Sequence, residues 1–94
     1  MTAKTTIENR RKALFARTST ATLIQSVKIL EAVLIAGNAS KEEIMARAWT
    51  IDELEERFPA ASIAVGDAFE AAETAPGEYV EVDYVAVLLA NIPA

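Results

Sequence analysis

Apolar residues recur along this chain mainly at intervals of three and four, the spacing of helices that bury one side. The clearest run is Ala21 to Ala36, where Leu23, Val27, Leu30 and Leu34 share a stripe. Ile24, Ile29, Val33 and Ile35 widen that stripe almost all the way round. Such a segment is central in a bundle or buried between subunits. Gly37 and Asn38 end it, because both tolerate the left-handed conformation after a helix. Upstream, "TIENRRKALFAR" has a narrower stripe of Ile7, Leu14 and Phe15, with Thr5 or Thr6 as its predicted cap. A helix so weakly amphipathic needs a partner to be stable. "TSTAT" separates these two runs and offers Ser19 or Thr20 as a second cap.

Ser40 followed by Glu43 is a capping box and opens a third helix. Its predicted seam is Ile44, Ala48, Ile51, Leu54 and Phe58, with Met45 and Trp49 together on a flank. Arg47 falls close to the seam, where it is expected to pair with an acid across the bundle. A second capping box, Thr50 with Glu53, marks a place where this helix can break; the pattern favours continuity. Pro59 turns the chain into a fourth helix, "ASIAVGDAFEAAE", with a face of Val65, Ala68, Phe69 and Ala72. Gly66 inside it suggests a close helix approach. "TAPG" is a stop. In the tail, residues 79–85 alternate like a strand, yet Val82, Val85, Leu89 and Ile92 fit a helix. With no second strand to pair with, a short extended segment near residues 79–83 and then a helix from about Val82 to Asn91 are expected.

These elements predict an all-α fold, a compact bundle of four or five short helices forming one domain over residues 1–94. With 94 residues and only six aromatic side chains, the core is aliphatic and light, a condition that dimerisation commonly relieves. Cysteine and histidine are both absent, which removes disulfides, thiolate zinc sites and the side chain that titrates near neutrality. The amino terminus lacks the apolar core of a signal peptide. The longest apolar run is interrupted by Gln25, Lys28 and Glu31, so it is too polar to span a bilayer. A soluble cytoplasmic protein is expected.

Charge is unevenly placed. Residues 1–30 carry six cations against Glu8, a net +5, whereas residues 31–94 carry thirteen acids against three cations, a net −10. Arg10, Arg11, Lys12 and Arg17 in the basic segment are candidates for phosphate contact. The following helix is too apolar for a recognition helix in a major groove, so nucleic acid is the less favoured partner. The serines have no histidine or cysteine to work with, and the three glycines are isolated, so neither a catalytic pair nor a phosphate loop is legible. Asp52, Glu53, Glu55 and Glu56 lack the alternating ligands of a calcium loop and are best explained as a solvated helix face. No catalysis, cofactor or metal site is expected.

The stretches "RAWTIDELEERFP", "AFEAAE" and "VDYVAVLLANI" are similar to small uncharacterised proteins of actinobacteria and their phages. That resemblance covers the C-terminal half and implies a phage accessory protein acting on a host component; it carries no functional residues. The expected function is non-catalytic protein binding with self-association as a homodimer. Met45, Trp49, Asp52 and Glu56 are the candidate contact residues, since Met and aromatic side chains are favoured at interface centres. Two alternatives remain: an antitoxin-like or repressor-like regulator with its basic helix on DNA, and an acidic inhibitor that mimics a nucleic-acid backbone.

Overall fold

The computed structural model describes residues 3–73 and 81–93. Five helices follow in order: α1 (Ala3–Ala16), α2 (Thr20–Ile35), α3 (Lys41–Arg57), α4 (Pro59–Glu73) and α5 (Tyr84–Ala90). No strand occurs among the described residues, and the fold is all-α as predicted. The chain divides into two compact units, Met1–Glu53 and Leu54–Ala94, with the division falling inside α3.

In the first unit, α1 starts earlier than predicted, so Thr5 and Thr6 lie within it rather than at its start. The Ala-Lys pair ahead of them favours helix strongly enough to extend it. At its other end the Thr18 hydroxyl donates to the Leu14 carbonyl at 3.0 Å. The chain then bends by 118° into α2. Ser19 is the cap, its hydroxyl accepting from the Thr22 amide at 3.2 Å. Leu23 and Val27 are buried, and Leu30 and Leu34 are half-buried. The stripe is narrower than the sequence suggests, because Ile29 and Ile35 are 55% and 77% exposed. α2 closes with Gly37 at φ +79. The Gly37 amide donates to the Leu34 carbonyl and the Asn38 amide to Val33, so two terminal carbonyls are satisfied.

The α3 capping box forms as predicted. The Ser40 amide donates to Glu43 Oε1 at 3.0 Å, and the Glu43 amide donates to Ser40 Oγ at 3.1 Å. The backbone and side-chain hydrogen bonds with Ser40 hold the Glu43 carboxyl below its usual range. A carboxyl with a lowered native pKa contributes stability above its unfolded pKa and loses it as pH falls through the native one. Ser40→Ala should lower the melting temperature by about 4 to 8 °C near neutrality, the effect of a typical lost cap in a domain of this size. The difference should shrink as the solution is acidified below the ordinary carboxyl range; a difference that grows on acidification would contradict this role for the box.

α3 is continuous through Thr50, and the second capping box does not form as a helix start. The Thr50 hydroxyl instead donates to the Ala46 carbonyl at 2.7 Å and the residue is only 3% exposed. With its hydroxyl satisfied on its own helix, Thr50 can occupy the inner face. Of the predicted seam Ile51 and Leu54 are buried and Phe58 is half-buried, and Thr50 joins them, whereas Ile44 is 47% exposed and Ala48 is also exposed. Arg47 does pair across helices as predicted, its Nε donating to Glu31 Oε2 on α2 at 2.6 Å.

In the second unit, Pro59 occupies the first position of α4, where its missing amide costs nothing. The Phe58 carbonyl accepts from the Ala61 and Ser62 amides at 3.0 and 3.3 Å. Ala61 and Val65 are buried, while Phe69 of the predicted face is 40% exposed. The predicted stop at "TAPG", like Tyr79 and Val80, lies outside the described residues. Asp83 has an extended conformation and caps α5, accepting from the Ala86 amide at 3.1 Å. The helix thus begins at Tyr84 rather than Val82. α5 packs on α4 and buries Val85 and Leu88, with Ile92 buried just beyond its end. Leu88, absent from the predicted stripe, is fully buried.

Gly66 does not support a close approach. It is exposed, and a Cβ built there meets nothing within 4 Å. Gly66→Ala is therefore expected to stabilise the protein by about 0.5 to 1 kcal/mol through backbone entropy. A destabilised variant in denaturant titration would show that the position is crowded.

Candidate functional site

The packing of α3 decides which of its side chains face outward. With the inner face centred on Thr50, Ile51 and Leu54, the opposite side carries Met45, Asp52 and Glu56. Met45 is 41% exposed, and Asp52 and Glu56 are exposed. Trp49 lies one turn after Met45 on the same side and is half-buried. Glu56 continues the same side of the helix beyond the division between the two units.

What covers Trp49 is a cation. The Arg11 guanidinium of α1 lies over the ring. The sequence placed Arg11 and Trp49 in separate candidate sites, one for phosphate and one for protein; the fold brings them together. An indole face carries the negative end of its quadrupole, and a planar guanidinium both stacks on it and is attracted to it. Arg11 is half-buried in this position, whereas Arg10, Lys12 and Arg17 remain exposed. Arg10, Arg11 and Lys12 are consecutive on α1 and project in different directions, and Arg17 lies in the turn beyond its end, so the four basic residues do not form a single front.

The second unit holds a polar junction not predicted from sequence. The Ser62 hydroxyl of α4 donates to Glu55 Oε2 at 3.1 Å, and the Tyr84 hydroxyl of α5 donates to Glu55 Oε1. The Tyr84 ring also lies 6.3 Å from that of Phe69 at an interplanar angle of 52°. Glu55 is therefore an anchor for two helices and does not belong to a wholly solvated acidic face. Its partners are seven and twenty-nine residues away in the chain. Glu55 projects among Ile44, Ala48 and Ile51 of the predicted seam, so the periodicity of α3 itself hinted that Glu55 turns partly inward.

Among the described residues, no group of three or more acidic, histidine or cysteine side chains is gathered so as to hold a metal ion. No single helix among them is long and apolar enough to cross a membrane. No family model, curated protein or solved structure matches this chain.

Proposed function

We propose that this protein is a non-catalytic binding module that engages a partner protein through the outer side of α3 at Met45, Trp49 and Asp52, with Glu56 farther along the helix. The observation that carries this reading is the half-buried tryptophan bordered by an exposed methionine and an exposed carboxylate. Large aromatic and thioether side chains supply most of the affinity at interface centres, and charges at the rim supply orientation. Self-association as a homodimer belongs to the same proposal, supported by Ile29 and Ile35 exposed on α2. We place the module in the cytoplasm as a phage-type accessory protein directed at a host component, on the resemblance of its C-terminal half.

The test is a comparison of two baits. Met45→Lys changes an exposed side chain and should leave the melting temperature nearly unchanged. A protein captured by the wild type and lost with Met45→Lys supports the reading. Equal recovery by both baits would remove this side of α3 from the interface. A second reading, a DNA-binding regulator, is favoured by the exposure of Arg10, Lys12 and Arg17. It requires salt-dependent retardation of duplex DNA, and absence of retardation at low salt would exclude it.

A further inference from the structure

The outer side of α2 is unlike that of α3. Seven residues of α2 are exposed, and Lys28 alone among them is charged. α3 also exposes seven residues, and four of those are charged. A helix surface that faces water is ordinarily polar or charged. Ile29 and Ile35 nevertheless stand 55% and 77% exposed on α2.

Their arrangement is symmetric. Ile29 lies three residues before Ala32, and Ile35 lies three residues after it. At 3.6 residues per turn they project about 60° to either side of Ala32, which points away from the buried Leu23 and Val27. A small side chain thus sits in a shallow valley between two isoleucines. A second α2 can be laid against this valley antiparallel, with both Ala32 residues on a two-fold axis. Each Ile29 then stands at the same level as Ile35 of the other copy, one on either edge of the seam. The alanines between them let the helix axes approach closely. Self-complementarity of this kind is what an isologous interface requires.

Charge selects the direction. In a parallel pair the two Lys28 side chains share one level, and the two Arg17 residues of the preceding turn meet at one end. In the antiparallel pair Lys28 falls at the level of Ala36 of the other copy, the C-terminal cap of α2 and the negative end of its dipole. The two Arg17 residues then lie at opposite ends of the pair.

We infer that α2 pairs with α2 of a second copy, antiparallel and about a two-fold axis through Ala32. This rests on the self-association included in the reading above and supplies its surface and direction. One helix seam is smaller than the roughly 800 Å² per partner of a standard interface, so the dimer is weak, with a dissociation constant on the order of tens of micromolar.

Sedimentation equilibrium of the full chain from about 1 to 500 μM should show a monomer–dimer transition. Ile29→Glu and Ile35→Lys should each weaken dimerisation by about tenfold or more with little change in melting temperature, because both positions are exposed in a single copy. The chain has no cysteine, so one introduced on α2 reports the register. Ala32→Cys should form a disulfide-linked dimer under mild oxidation, since the two positions meet on the axis. Gln25→Cys should not, because the two copies of that position lie about 21 Å apart along the antiparallel helices. Equal linking of both variants would mean a parallel pair and would overturn the inference. Absence of a link with Ala32→Cys, in a dimer that the two charges disrupt, would overturn the register. A dimer unaffected by Ile29→Glu and Ile35→Lys would leave self-association standing and overturn the α2 seam. A chain that stays monomeric at the highest concentration would overturn the inference and self-association together, while capture with the Met45→Lys bait would still decide the protein-binding reading.

Discussion

Leu54→Ala is expected to lower the unfolding free energy by about 3 to 5 kcal/mol, the range for deleting three carbons from a site that cannot collapse. Leu54 has no exposed surface. It opens the second unit, whose other buried apolar residues, among the described residues, are Ala61, Val65, Val85, Leu88 and Ile92. Alanine and valine make up three of these five, so few large side chains are available to fill a void. A domain of this size has about 5 to 10 kcal/mol to lose. The variant should therefore unfold at much lower urea concentration and be partly unfolded at physiological temperature. Ile63→Ala is the control, because Ile63 on α4 is 65% exposed and should change stability by about 0.5 kcal/mol or less. Equal effects from the two substitutions would show that Leu54 is not a centre of the core.

The contrast between Leu54 and Trp49 also shows how far the sequence could be read. Features closed within a few residues were legible: the Ser19 cap, the Ser40–Glu43 box, the Gly37 stop and the turn at Pro59, although α4 begins at Pro59 itself and not at Ala61. Each satisfies backbone groups by rules that depend on local chain geometry alone. The pairing of Arg47 was legible for a different reason, since a charge placed near an apolar seam has to find a counter-charge. The predicted seam of α3 holds at Ile51 and Leu54 but not at Ile44 and Ala48, and it leaves out Thr50, which packs much as an apolar residue does because its hydroxyl is bonded to its own helix. Gly66 was misjudged because a glycine within a helix suggests crowding, although the position is open. The Glu55 junction and the Arg11–Trp49 stack join residues twenty-nine and thirty-eight apart, and no periodicity carries such information.

Trp49→Ala should cost about 1.5 to 2.5 kcal/mol of folding free energy, intermediate between a buried aromatic and an exposed one. The ring is half-buried, and part of what it loses is the contact with Arg11. Arg11→Gln alone should cost less, about 0.5 to 1 kcal/mol. In a double-mutant cycle the two losses should fall short of additivity by about the smaller one, because either change already removes their mutual contact. Binding provides the second axis. If Trp49 anchors the partner, its truncation should weaken binding by about 2 kcal/mol or more, a larger share of the affinity than of the stability. The chain has one tryptophan, so acrylamide quenching reports on this site alone, and binding should reduce it. A folding loss near 4 kcal/mol with unchanged partner affinity would place the indole in the core and remove it from the interface. Strict additivity with Arg11→Gln would separate the two residues in solution. An intermediate folding loss, clear coupling to Arg11 and a large binding loss together would support a tryptophan half-committed to its own fold and half-available to a partner.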